Sequence, residues 1–232
     1  MKTNEFGQVI GEAVPGFTPG GLPTVASIEG RDTRLEKLNE SHKEALYAVY
    51  GPDTPAQMWT YLAGSSVANE VEWDDLFDRL LRDSSKFYYV ILDKNTKKAL
   101  GTFALMRLDT ANRVVEIGSV TYLPDLQRTR IATEAQYLMA RYVFEEMGYR
   151  RYEWKCDALN EPSKRAAKRL GFTYEGRFRQ AVVYKGRTRD TDWYSMIDQE
   201  WPKLKERFEK WLHPENFNEE GVQYHSLSQQ SL

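Results

Sequence analysis

The sequence predicts one α/β (α+β) domain in which helices alternate with a mixed, mostly antiparallel sheet. Three observations predict it. Apolar and β-branched runs at Phe87–Leu92, Ala99–Leu108 and Val114–Tyr122 follow one another across short polar turns, as an antiparallel meander does. A long helix-period stretch then separates that meander from a further alternating run, Arg150–Asp157. Two last runs, Phe172–Tyr184 and Thr188–Ile197, flank Lys185-Gly186-Arg187 as the arms of a hairpin. Helices interleaved with strands in this way need a sheet to pack on.

The elements follow in order. Arg34–Leu38 alternates apolar with charged residues and reads as a short strand. His42–Val49 is a helix, with Ser41 placed as its N-cap. Glu70–Leu81 is a second helix, since Val71, Trp73, Leu76, Phe77 and Leu80 recur near helical spacing. The three meander strands come next, with turns at Asp93–Lys98 and Asn112. A loop, Leu123–Arg130, leads into a helix that runs to Met147, with Ala135, Leu138, Met139, Tyr142 and Val143 on one face and Glu134, Arg141 and Glu145 on another. Gly148 suits its left-handed end. In Arg150–Asp157, Tyr152, Trp154 and Cys156 face one way, and Arg151, Glu153 and Lys155 the other. Asn160 caps a helix with Pro162 in its first turn, and Gly171 stops it. After the hairpin, Trp201–Leu212 is a last helix.

Composition narrows the function. The chain has 232 residues, and its 32 Lys+Arg against 34 Asp+Glu leave a net charge of -2, which argues against a dedicated nucleic-acid or membrane-surface protein. No apolar run approaches the roughly 20 residues that cross a bilayer. Residues 1–30 show neither a signal core nor a transit pattern, and a single cysteine excludes an internal disulfide, so a cytoplasmic location is expected. His42, His213 and His225 are scattered, and no metal site is expected. Glycines and prolines crowd residues 1–30, an arm that wraps over the surface or stays loose. Residues 213–232 read as a tail. Residues 31–212 form one domain without a linker.

Four features carry possible chemistry. The loop before the long helix supplies Gln127, Arg128, Thr129, Arg130 and Thr133 at a helix N-terminus, where amides and the helix dipole suit a diphosphate; Thr133 or Asp125 equally reads as no more than a cap. Asn160-Glu-Pro-Ser163 opens the next helix, with Asn160 as ligand contact or as cap. Glu116 stands between Val115 and Ile117, where apolar walls raise a carboxyl's pKa and make it a base near neutral pH, although a strand's solvent face also carries such residues. Between Lys164 and Arg189 nine basic residues meet one acid, Glu175, and interleave with aromatics, which suits single-stranded nucleic acid, a phosphorylated cofactor or plain solvation.

Together these pieces resemble the GCN5-related N-acetyltransferase family, in its RimJ/RimL-like branch, over about residues 31–200. The resemblance rests on Glu116-Ile-Gly118, on Gln127-Arg-Thr-Arg-Ile-Ala132-Thr-Glu-Ala135, and on Asn160-Glu-Pro-Ser163 followed by Arg169-Leu-Gly-Phe172. Two positions depart from the family pattern. Arg130 stands where glycine is usual and is expected to add a charge-assisted contact. Ala167 stands where many relatives carry a tyrosine acid, which leaves Ser163 as the group near the sulfur.

The resemblance implies acetyl-CoA as cofactor and donor, held in a gap between splayed central strands. Its diphosphate meets Gln127, Arg128, Thr129, Arg130, Ile131, Ala132 and Thr133. Its pantetheine arm runs along Val120, Thr121 and Tyr122, and Asn160 and Ser163 lie beside it. It implies Glu116 as the base that deprotonates a primary amine, because an alkyl ammonium is under about 0.1% neutral at pH 7. It also implies backbone amides of Val120–Tyr122 for the developing oxyanion, and Ser163 for the departing thiolate. Acceptor contacts fall by position on Trp59, Tyr61, Trp73, Asp190, Asp192 and Trp193, and the acceptor is a small amine or a protein N-terminus. No membrane or nucleic-acid partner is expected, and a homodimer is compatible with the chain. Two alternatives stay open: an acetyl-CoA sensor without turnover, and a nucleic-acid module using residues 164–189.

Overall fold

The computed structural model describes residues 2–229. Residues 230–232, the end of the stretch read as a tail, lie outside the described residues. The strands are β1 (Lys2–Thr3), β2 (Val9–Ile10), β3 (Ser27–Glu29), β4 (Thr33–Lys37), β5 (Lys86–Asp93), β6 (Ala99–Asp109), β7 (Val114–Tyr122), β8 (Arg151–Asp157), β9 (Thr173–Tyr184) and β10 (Arg187–Ile197). The helices are α1 (Lys43–Tyr50), α2 (Glu70–Arg82), α3 (Arg130–Arg141), α4 (Glu161–Leu170) and α5 (Trp201–Leu212). Apart from the small β1–β2 hairpin, the strands form one eight-stranded sheet in the order β3-β4-β5-β6-β7-β8-β10-β9. Every neighbouring pair is antiparallel except β7 and β8, which α3 connects in parallel.

Strand alternation sends the sheet's apolar residues to two cores. On one face, Val90, Leu92 and Ala99 pack under α1 and α2 with Leu46, Trp73 and Phe77. On the other, Ile91, Phe103, Val115, Ile117, Tyr152 and Trp154 pack under α3, α4 and α5. Burial on this scale, at roughly 25 cal/mol per Å² of apolar surface, is what makes the order of elements compact.

Local chemistry departs from the sequence reading at four places. Asn39, not Ser41, caps the first helical turn: its Oδ1 accepts from Ser41 N at 3.0 Å and from the Ser41 hydroxyl at 2.6 Å. Thr129, rather than Thr133 or Asp125, caps α3, accepting from Ala132 N at 3.1 Å. Thr129→Ala is expected to cost about 1 kcal/mol, seen as a fall in Tm that Thr129→Ser restores. The helix does not run unchanged to Met147; residues Tyr142–Glu146 form a wider π turn before Gly148 at φ 63°. Glu134 is not on a solvent face. It is buried, and its carboxylate accepts the backbone N–H groups of Arg31, Asp32 and Thr33 at 2.8–2.9 Å.

Both chain ends make contacts with the body. Gly20 N donates to Thr110 O, and the Tyr142 hydroxyl accepts from the amides of Thr24 and Val25. After α5, Asn216 donates to the carbonyls of Trp211 and His225, and Leu227 is buried.

Candidate active site

The site begins where β7 and β8 separate. They pair in four positions, from Val114↔Arg151 to Ile117↔Trp154, and then stop. Beyond that point Gly118–Tyr122 on β7 and Lys155–Asp157 on β8 face each other unpaired. A bulge helps to turn β7 away. Between Thr102↔Thr121 and Ala104↔Gly118 the strand carries one extra residue, and Ser119 takes φ 49°. The fork is an open strand edge in the middle of a sheet, whose backbone groups are left to water or to an extended partner that pairs with them.

At the wide end of the fork lies the start of α3. Among the described residues, the amides of Arg128, Arg130 and Ile131 find no acceptor. Arg128 holds a left-handed backbone at φ 64°, and its exposed side chain has no partner among the described residues. The first turn contains no acid. This combination favours an anion. The Arg130 side chain does not point to it. Its guanidinium lies on Asp32, with Nη2 2.7 Å from Oδ1, and over the Phe217 ring at 4.8 Å. The expected extra contact from Arg130 is therefore corrected: the loop that Glu134 ties down holds Asp32 in reach, and the pair forms there. Gln127 is exposed, Ala132 and Thr133 are buried, and Ile131 is half-buried. Arg169 donates to Thr133 Oγ1 at 3.1 Å, a contact that spacing in the sequence does not reveal.

The other side of the fork is the start of α4. Asn160 Oδ1 accepts from Ser163 N at 3.1 Å and so caps the helix, while its Nδ2 has no partner among the described residues. The Ser163 hydroxyl accepts from Trp154 Nε1 at 3.0 Å, which leaves its own proton to donate. Ala167 is fully buried, so no acid stands at that position. Cys156 is buried in the same core, and burial pushes its thiol up. On β7, Val120 is half-buried and Thr121 buried; the Tyr122 hydroxyl accepts from Gln136 at 2.7 Å, and burial holds it well above the usual phenol range.

On the α1–α2 face of the fork lies a charged cluster. Glu116 is buried and ion-paired with Lys155, Nζ to Oε2 3.0 Å, and with Arg107 at 3.4 Å. Burial raises its carboxyl above the usual range, against the lowering by Lys155 and Arg107. It is neither an isolated base nor an outward-facing surface group.

Above this face the loop after α1 and the β9–β10 hairpin come together. Tyr50 bonds Thr102 at 2.6 Å, stacks on Trp73 and meets Trp59 with its ring tilted. From the other side, Tyr184 OH donates to Asp157 at the end of β8. Lys185 Nζ donates to Trp59 O at 2.6 Å, and Arg187 Nη2 to Thr60 O at 2.8 Å. A cleft of about 200 Å³ lined by Ala56, Trp59, Thr60, Ser65, Ser66 and Lys185 lies there.

The proposed acceptor contacts divide. Trp59 lines this cleft, and Tyr61 is half-buried nearby in sequence. Trp73 is core: its ring is buried and its indole donates to Lys43 O. Trp193 lies on the Glu116 face, under the Lys155 ammonium and against Phe178. Asp192 opposes Cys156 on the other face, where Arg177 holds it at 2.7 and 3.1 Å. Asp190 accepts from Gln180 N. Asp192 is thus neutralised by a guanidinium, whereas Asp190 keeps its charge. The basic run 164–189 is likewise dispersed: Lys164 pairs with Glu161, Arg177 with Asp192, and Arg169 turns inward.

Residues 32–173 match the family described as "Acetyltransferase (GNAT) domain". The chain belongs to that family. A GNAT chain from Brucella melitensis has a solved structure that is 43% identical, covering 92% of this chain and 97% of that one, with a TM-score of 0.89. This GNAT protein is also 25% identical over 163 residues to YoaA of Bacillus subtilis (strain 168), named as an uncharacterized N-acetyltransferase, spanning 70% of this chain and 92% of that protein. YdaF of the same organism, whose name marks it as a candidate ribosomal N-acetyltransferase, is 32% identical over 101 residues, 44% of this chain and 55% of that one. The chain is therefore a GNAT-type N-acetyltransferase, and the family's donor is acetyl-CoA. The unpaired β7 edge, the free α3 amides and the open Nδ2 of Asn160 fit that molecule's amide-bearing arm and diphosphate.

Proposed function

We propose that this GNAT enzyme is a cytoplasmic, RimJ/RimL-like acetyltransferase whose acceptor is the α-amino group of a peptide or protein N-terminus. The observation that carries its chemistry is the buried carboxylate of Glu116 beside the point where β7 and β8 part. Two findings support the acceptor. Asp192, one of the two aspartates that suit a polycation, is already paired with Arg177. The match to YdaF, named as a candidate ribosomal N-acetyltransferase, supports a protein acceptor.

Acetyl-CoA supplies an acetyl group activated as a thioester; the amides of Arg128, Arg130 and Ile131, the edge Gly118–Tyr122 and the Asn160 amide would hold it. The protein's own groups do the rest. Glu116 accepts a proton from the acceptor ammonium, directly or through water. Amides on the open β7 edge offer donors where negative charge develops on oxygen. Ser163, its oxygen occupied by Trp154, donates its proton toward the leaving sulfur. A serine of ordinary acidity is a weak acid, so Ser163→Ala is expected to lower kcat by about 10-fold, with little change in KM. Much of the rate comes from holding the reactants in line.

The test is thiol release from acetyl-CoA with N-terminal peptides, small amino acids and polyamines as acceptors. Release with peptides alone is expected. Release only with polyamines overturns the acceptor. A rise in Tm with acetyl-CoA and no release with any amine favours the non-catalytic sensor instead.

A further inference from the structure

The ammonium of Lys155 is held between two carboxylates, with Nζ 3.0 Å from Glu116 Oε2 and 2.7 Å from Glu153 Oε2. It lies 3.6 Å from the Trp193 ring centroid, and its side chain is 7% exposed. Lys155 is the first β8 residue past the last pair with β7, and Gly118 is the first on β7. Both therefore flank the apex of the fork. Glu116 Oε2 turns to Lys155, while Oε1 has no partner among the described residues. Oε1 leans over Gly118, where a Cβ would lie 3.2 Å from it.

The charged groups around Glu116 can be named from every packed strand. β8 contributes Lys155 and Glu153, and β6 contributes Arg107, whose side chain is 60% exposed. β10 contributes the uncharged Trp193. Behind Glu153, Arg151 bonds it at 2.8 Å and pairs with Glu175. A lysine is buried this deeply only when paired. Conversely, two buried glutamates with no cation between them do not both stay ionised.

We propose that Lys155 is a positioning residue for proton removal: it holds Glu116 as a carboxylate with Oε2 fixed along β8, and so presents Oε1 at the fork. In the step it serves, the N–H bond of the acceptor ammonium breaks, the electron pair stays on nitrogen, and the proton passes to Glu116. Lys155 keeps its own proton and remains paired with Glu153. The inference rests on Glu116 as the proton acceptor, and it concerns a residue that no motif of the sequence singles out.

Two readouts test it on the full-length protein. The first is a pH titration by NMR with glutamate labelled at the carboxyl carbon; the Glu116 signal is the one lost in Glu116→Gln. Lys155→Met is expected to raise the Glu116 midpoint by about 1–2 pH units, and Lys155→Arg to restore it. Arg107→Gln, at an exposed and screened cation, is expected to move it much less. The second is the acidic limb of kcat/KM for thiol release with a peptide acceptor, which moves up with the midpoint in Lys155→Met. Where the methionine variant does not fold, Lys155→Gln replaces it. An unmoved midpoint, or one moved as far by Arg107→Gln, overturns the inference. If Glu116→Gln keeps the wild-type rate and acidic limb, it is the role of Glu116 that fails, and the titration still reports separately whether Lys155 governs that carboxyl.

Discussion

Glu116→Gln is expected to lower kcat/KM by about 10²–10⁴, the usual contribution of a positioned base. Glutamine keeps the shape and volume of the side chain, so Lys155 retains Glu153 and the strand retains its packing. The pH dependence carries more information than the size of the loss. Burial raises the Glu116 carboxyl above the ordinary carboxylate range. A base works only when ionised, so in the wild type kcat/KM falls as pH drops through that raised value. On the alkaline side of this limb activity is full with respect to Glu116. In the glutamine variant that limb vanishes, and the low rate that remains rises with pH only as the acceptor amine itself loses its proton. Steady-state kinetics between pH 5 and 9, with circular dichroism to check folding, measure both; a variant with the original limb intact removes Glu116 from the chemistry.

The second large effect concerns stability. Glu134→Ala is expected to cost about 2–3 kcal/mol, because it strands the buried amide of Thr33 and removes the acceptor of the Arg31 and Asp32 amides as well. The carboxylate of Glu134 gathers the N–H groups of Arg31, Asp32 and Thr33. That grip fixes the turn between β3 and β4 onto α3, and with it Asp32, the partner of Arg130. The approach is close enough that a Cβ on Gly30 would lie 2.5 Å from Glu134 Cδ. Gly30→Ala should therefore destabilise as well. Urea denaturation reads both variants. A midpoint equal to wild type for Glu134→Ala would mean that water replaces the carboxylate without penalty.

Much of this architecture was legible in the residues. The parts that read well rest on signals confined to one segment. The alternation in Val114–Tyr122 and Arg151–Asp157, the Asn160 cap and the Gly171 stop at φ 104° each depend on neighbours along the chain. The Lys185-Gly186 turn, with φ of 48° and 69°, is of the same kind. The parts that did not read depend on segments far apart in sequence. Glu134 looks like a solvent-facing helix residue until residues 31–33 wrap over it. Arg130 looks available until Asp32 and Phe217 meet it from opposite ends of the chain. Asp192 looks like an acceptor ligand because strand parity alone does not say which sheet face is the site, and Arg177 neutralises it from the paired strand. Lys155 alternates correctly, but nothing local says that Glu116 lies beside it. That follows only from the parallel register of β7 and β8.

The fork has one more consequence, for which parts of the backbone exchange their hydrogens with solvent. Up to Ile117 and Trp154 the two central strands lock each other. Past that point each keeps a neighbour on its outer side only, so amides pointing into the fork should exchange with deuterium within seconds while those just below it persist for hours. Residues a few ångströms apart in the heart of the fold would then differ in protection as sharply as a sheet centre differs from a sheet margin. Such a boundary, falling between Ile117 and Gly118, would make the middle of this protein behave like its edge.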